Sequence, residues 1–460
     1  YFGVCVLLST LPGLPMFGHG QVEGLREKYG MEYERPRWDE ATNEALVQRH
    51  EREIFPLLRA REAFAHVAHF LLFDCRTDGG TNEDVIAYAN GHGSERAIVT
   101  YNNRWREARG WLSRSTPVRD PDSGDLFTRS VWEALGVDAR PEEWIALRCK
   151  ATRLERLVSA SELRERGLRV ELGAFKYHVW SEPRVLVDSK RTPCAALARD
   201  LGARPVQSID CALEELALRA VHDPLRALLD PAHAEYVARA SPEDATHATI
   251  SRVVDLANGV SWLEERDVDP RILMNGTAKA MYWWHTLEER DVTDTMLAPL
   301  RVHARSLVWA IAAIAAVMRV LTREDEEPRD ALARGRVKDV LAHVLMSETH
   351  DDALADAAAR LALVSHATLE TDARPTLTER ICDLTANDPD ARVLLLVHDA
   401  GGTTWFNKER MELVAAWLDV IAADGSPRAV ARVREEAAKA RYDLSLFSGA
   451  SRRRATAGAC

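Results

Sequence analysis

Two hydrophobic periods divide the chain. Over residues 66–112 and again over 168–188, apolar side chains recur at every second position, the spacing of half-buried strands. Val85, Ala87 and Ala89 fall on one face, and Ile86, Tyr88 and Asn90 on the other. Thr77-Asp78-Gly79-Gly80 and Gly91-His92-Gly93 read as hairpin turns between such runs. In the later run Val170, Leu172, Phe175, Tyr177 and Val179 suit inward positions, with a bulge at Gly173. Between the two runs, residues 114–165 read as an insertion, helical over 126–135 and 141–164.

Elsewhere the spacing is helical. Residues 41–63 predict a helix with Asp39 at its N-cap, burying Ala45, Leu46, Ile54, Leu57 and Leu58. Pro56 should kink that helix or split it. Beyond Thr192 the pattern is helical nearly to the end: 193–201, 209–220, 231–240, 242–258, 273–290, 293–322, 330–346, 351–369, 377–386, 407–423 and 429–441. No fixed-length repeat demands a solenoid. The charged stretch 323–328 reads as a solvated corner. The most apolar run, 306–321, is shorter than the roughly 20 residues of a membrane span, and Arg301, Arg305 and Arg319 flank or enter it. It is expected to be the core helix of an all-α domain.

One short stretch near the start mixes the signals. After an apolar run, Pro12-Gly13 stops a helix and turns the chain. Leu14 to Phe17 suit a very short buried strand, and Gly18 to Gly24 a polar, glycine-rich loop carrying His19, Gln21 and Glu23. Residues 24–41 read as a loop with one weak helical turn. This order matches the last strand of a (β/α)8 barrel and the active-face loop after it.

The motif Leu11-Pro12-Gly13-x-Pro15-x-Phe17-x-x-Gly20-Gln21 resembles the eighth-strand segment of the α-amylase superfamily, glycoside hydrolase family 13. It departs where Gly18-His19 stands in place of two aromatics and Val22 in place of a glutamate, with Glu23 one place later. Residues 43–64 resemble the helix that leads into domain C of such enzymes. Residues 70–74, 85–90 and 97–103 resemble the first strands of that β-sandwich, and 397–417 carry a fainter echo.

The resemblance implies a multidomain α+β chain. Residues 1–65 would be the terminal strand and helix of a truncated (β/α)8 barrel. Residues 66–190 would be a domain C-like β-sandwich with the helical insertion at 114–165. An α-helical domain at 193–447 and a disordered tail at 448–460 complete the expected order. The family's retaining chemistry uses two carboxylates about 5 Å apart, and they follow barrel strands four and five, with a third after strand seven. The chain is expected to begin after strand seven and to contain no catalytic residue. It would then be the C-terminal portion of an α-glucan-acting glycosidase or glycosyltransferase, inactive alone. The alternative is a non-catalytic interaction or scaffold module whose helical part binds a partner.

Composition narrows the partners. The 460 residues are 46% apolar and 28% charged, as in ordinary globular chains, and the net charge of −11 disfavours nucleic acid or an anionic membrane as partner. Seven scattered cysteines without a C-x-x-C pair predict reduced thiols in a cytoplasmic protein. An α-glucan or oligosaccharide is the expected partner.

His19 and Gln21 are the candidate substrate-binding residues, because functional side chains collect at the active face of a barrel and both can hydrogen-bond sugar hydroxyls. Bracing the loop is their competing role. Glu23, Glu27 and Glu32 lie in the same loop as structural or solvated carboxylates, while Tyr33 and Trp38 offer rings for sugar stacking or packing. No metal or cofactor is expected: His343, His350 and His366 with Asp351 and Asp352 lack ligand spacing, and no phosphate-binding glycine motif occurs. Trp283-Trp284-His285 and Trp405-Phe406 are expected to pack helices, with a surface glucan site as the other reading.

Overall fold

The computed structural model describes residues 1–27, 37–120, 123–289, 304–369, 376–422 and 427–447. The chain is mixed α+β and divides into two units, Tyr1–Ala217 and Leu218–Cys460. The expected tail at 448–460, Glu32, Tyr33, Arg301 and the start of the 293–322 helix lie outside the described residues.

The first unit opens with helix α1 (Phe2–Thr10), which buries Phe2, Cys5 and Val6. Residues 14–17 belong to no sheet, so the expected barrel strand has no ladder partners here. The helix expected at 41–63 is three pieces: α2 (Glu44–Glu53), α3 (Phe55–Arg59) and α4 (Arg61–Phe64). Pro56 makes the break, because it fits the first turn of α3 but would remove a bond inside a continuous helix. The N-cap is Asn43, whose side chain accepts from Leu46 N, and not Asp39. Ala45 is exposed, and His50 and Glu53 take buried positions on α2 instead.

The strands follow: β1 (Leu71–Phe73), β2 (Arg76–Thr77), β3 (Gly80–Thr81), β4 (Val85–Asn90), β5 (Ala97–Asn102), β6 (Ala108–Leu112), β7 (Val118–Arg119) and β8 (Leu126–Phe127). Helix α5 (Val131–Leu135) precedes β9 (Trp144–Cys149) and β10 (Glu155–Ser159), and helix α6 (Ala160–Glu165) precedes β11 (Leu168–Leu172) and β12 (Tyr177–Leu186). One antiparallel sheet runs β1-β4-β5-β12-β9-β10 and a second runs β11-β6-β2-β3. Both contribute to one core, where Val99 is fully buried and Ile86 packs half-buried.

The region 114–165 is therefore not a helical insertion. Its β9 pairs with β12 and β10, inside the larger sheet. Ile145, Leu147 and Val158 face the main core, while Ala146 and Leu157 face a second cluster with Cys194, Leu197, Ile209 and Leu213. Burial on both faces erases the alternation that marks a strand. The second cluster belongs to α7 (Cys194–Leu201) and the start of α8 (Ile209–Leu229). The bulge sits in β12 between Ser181 and Arg184, where Glu182 has φ +52, and not at Gly173.

The second unit continues from α8 through α9 (Pro231–Arg239), α10 (Pro242–Glu264), α11 (Pro270–Glu289), α12 (Ala304–Leu321), α13 (Pro328–Arg334), α14 (Val337–Thr349) and α15 (Asp352–Leu369). After α16 (Leu377–Asn387) and α17 (Pro389–Leu394) comes a hairpin of β13 (His398–Ala400) and β14 (Thr403–Trp405), then α18 (Lys408–Ala422) and α19 (Pro427–Lys439). Helix α12 is central, with neighbours α9, α10, α11, α13, α14 and α15. Ile311, Ile314 and Val317 are fully buried, and Trp309 donates to Leu228 O at 2.7 Å. Gly259 brings α10 onto α8, since a Cβ there would meet Ala220 O at 1.9 Å. Among the described residues no helix is long and apolar enough to cross a membrane.

Candidate substrate-binding site

The loop after residue 17 is held by the end of α1. Thr10 Oγ1 bonds Val6 O at 2.7 Å and Tyr88 Oη at 2.7 Å. The buried Asn90 amide donates to Thr10 O and Phe64 O, both at 2.8 Å. Arg61 donates to Ser9 O and Gly13 O, pinning the proline–glycine turn. From there exposure alternates: Leu14 and Met16 point to solvent at 83% and 74% exposed, while Pro15 and Phe17 are half-buried. Phe17 meets the His50 ring edge-on at 6.3 Å.

The loop itself is tightly bonded. Gln21 N donates to Gly18 O at 3.1 Å, and Gly18 N donates to Gln21 Oε1 at 2.9 Å. Tyr1 donates its hydroxyl to Gln21 O at 3.1 Å and also meets His50 Nε2 at 2.9 Å. Burial pushes the Tyr1 phenol up to about 12, with Cys5 adding to it. Gly20 has φ +67, and a Cβ there would stand 2.6 Å from Leu25 Cβ, so only glycine fits without rearrangement. Gln21 thus braces the loop with its carbonyl, and a ligand would meet its amide Nε2.

Farther on, two carboxylates staple the loop shut. Glu27 accepts from Arg37 N at 2.9 Å and Trp38 N at 2.8 Å, and Glu40 accepts from Glu27 N at 2.8 Å. The backbone N–H groups of Glu27 and Arg26 hold the Glu40 carboxyl below its ordinary range. Trp38 is 59% exposed and outside the core.

His19 and Gln21 share the rim of a cavity of about 1430 Å³ in the first unit. Sequence reasoning did not find the groups that α2 and β12 bring to the same cavity. Glu53 accepts the Tyr177 hydroxyl and Arg49 Nε, the latter at 3.1 Å. The Arg49 guanidinium lies 3.9 Å from the centroid of the Phe2 ring. Burial, then the Glu53 carboxylate, raises the Tyr177 phenol far above its ordinary range. His178 packs on Trp180 with centroids 4.6 Å apart, and burial lowers its imidazole to about 4, so it is neutral at pH 7. Trp105 and Phe175 also line the cavity. These groups lie far apart in sequence, and no local spacing marks them as neighbours.

The other candidates are structural. His366 is buried, with Nδ1 at 3.2 Å from Ile311 O, and His350 caps α14 with φ +51. Trp284 meets Trp309 edge-on at 5.6 Å, and Phe406 packs on Phe447 at 5.4 Å. The described residues hold no cluster of three or more metal-binding side chains. No family model, curated protein or solved structure matches the chain.

Proposed function

We propose that the chain is the C-terminal portion of an α-glucan-acting enzyme of the α-amylase type, and that the loop of residues 18–24 forms part of its sugar-binding surface. The observation that carries this reading is the placement of His19 and Gln21 on the rim of the large cavity, directly after the alternating segment 14–17. Leu14 and Met16, apolar and exposed, are what an inner strand presents when its neighbours are absent. The motif around Pro12-Gly13 supports the same reading.

The lining suits a neutral polyol. His19, Gln21 and Lys176 supply hydrogen-bonding groups, and Tyr1, Phe2 and Tyr177 supply aromatic walls. Glu53 is already committed to Tyr177, Arg49 and Arg52, an arrangement that positions rather than attacks. The reading therefore assigns binding to this chain and bond cleavage to carboxylates on other strands of the barrel.

The test is a pair of assays on the 460-residue chain. It should bind maltoheptaose by calorimetry yet release no reducing sugar from soluble starch. His19→Ala with Gln21→Ala should weaken binding about tenfold, or about 1.4 kcal/mol. Absence of maltoheptaose binding would overturn the reading. So would starch hydrolysis that survives deletion of residues 1–40.

A further inference from the structure

Two large apolar side chains stand in the open where the strand pattern would place at least one of them inside. Trp105 is 84% exposed and Phe175 is 42% exposed, and their ring centroids lie 5.6 Å apart at an interplanar angle of 52°. Both are on the rim of the large cavity. Phe175 was expected to point inward with Val170 and Val179. Instead its backbone has φ +55, a conformation that non-glycine residues rarely adopt.

The frame under this pair is unusually well bonded. The fully buried Asn102 joins the two turns that carry the rings. Its Nδ2 donates to Arg106 O at 2.5 Å and to Gly173 O at 2.9 Å, and its Oδ1 accepts from Arg104 N at 3.1 Å. Phe175 N donates to Arg104 O at 3.2 Å. On the other side Asp84 accepts from Arg104 Nε at 3.1 Å and from Arg106 Nε at 2.7 Å. Both neighbours of Trp105 are thus clamped to one carboxylate. The two arginines hold the Asp84 carboxyl below its ordinary range, Arg106 foremost.

Neither ring belongs to the hydrophobic core, and a well-bonded frame holds both at the surface. We propose that Trp105 and Phe175 form a stacking platform for one pyranose ring of an α-glucan whose adjoining residues occupy the cavity; this rests on the α-glucan reading given above. A pyranose has an apolar C–H face and a polar hydroxyl edge. Its apolar face can stack on the Trp105 ring while Phe175, tilted 52° to it, closes one side, and Lys176, Glu171 and the 18–21 loop line the same cavity. A protein partner is the poorer fit. Two rings offer at most roughly 300–500 Å², while a stable protein interface takes about 800 Å² from each side.

The platform is tested by calorimetric titration of the intact chain with maltoheptaose. Trp105→Ala should weaken binding about tenfold, and Trp105→Tyr, which restores a flat ring, should recover most of the loss. Maltoheptaose binding that is lost in the His19 and Gln21 variants but unchanged in Trp105→Ala would overturn the platform and leave the α-glucan reading standing. No binding of maltoheptaose by the unaltered chain would overturn both. A loss in Trp105→Ala that Trp105→Tyr does not restore would show a disturbed fold rather than a platform, and would also overturn the proposal.

Discussion

Asn102 shows how one side chain organises this molecule. It has no charge and no exposed atom, yet it ties the turn after β5 to the turn before β12. Replacing it with alanine removes the partner of the Arg106, Gly173 and Leu172 carbonyls and of Arg104 N. Asn102→Ala should cost about 1–3 kcal/mol, at roughly 0.5–1.5 kcal/mol for each hydrogen bond lost, seen as a lower urea midpoint. A midpoint unchanged from the parent would show that the turns hold without it. Glu27 and Gln21 teach a related lesson. Gln21 was a candidate for the site and Glu27 was read as a structural or solvated carboxylate, and both use a side-chain oxygen to close their own loop. Their acceptor groups are occupied locally, whereas the aromatic rings at 105 and 175 are held out to solvent.

At the scale of elements, the corner after α12 is the solvated charge run expected, exposed at every position of 323–328 except Glu326. Glu326 pairs with Arg334 at 2.8 Å. Glu264, with only 4% of its side chain exposed, gathers Arg266 at 2.7 Å, Arg323 at 3.0 Å and also Arg334. This knot joins α10, α12 and α13. The Arg334 hydrogen bond is the main reason that the Glu326 carboxyl falls from 4.5 to about 2. A carboxylate whose folded pKa is depressed stabilises the fold above its unfolded pKa, and that contribution is lost as pH falls from 4.5 through 2. Stability of the helical unit should therefore fall across that window, read by helical circular dichroism during acid titration. Glu326→Gln should flatten the response there, and an identical acid profile in the variant would assign the loss to other groups.

For the whole molecule, the two compact units predict separable behaviour. Helix α12 buries Ile311, Ile314 and Val317 among helices of its own unit, so its apolar surface needs no lipid. Residues 218–447 expressed alone should remain in solution without detergent, with the α12 amides the slowest to exchange hydrogen. Partition of that fragment into membranes, or rapid exchange through α12, would refute the bundle core.

The limits of the sequence follow from the same packing. Local spacing was enough where buried and exposed positions alternate, as in β11 and most helices of the second unit. Strands β4 and β5, buried on both faces, were legible from the turn residues that bracket them, and the break at Pro56 from proline itself. The turn at Pro12-Gly13 and the glycine loop after it were also visible, because proline and glycine restrict the backbone locally. Strands β9 and β10 were hidden because no glycine or proline marks the turn between them at 150–154, and because their interspersed charged residues imitate a helix. The hairpin of β13 and β14 was missed because it is short and no residue of it is buried. The candidate site was half legible. His19 and Gln21 could be named from one loop, but their meeting with Glu53, Tyr177, Trp105 and Phe175 joins segments up to more than a hundred residues apart. Tertiary structure alone decided that meeting, because sheet pairing and helix docking, not sequence spacing, set which distant turns share a rim.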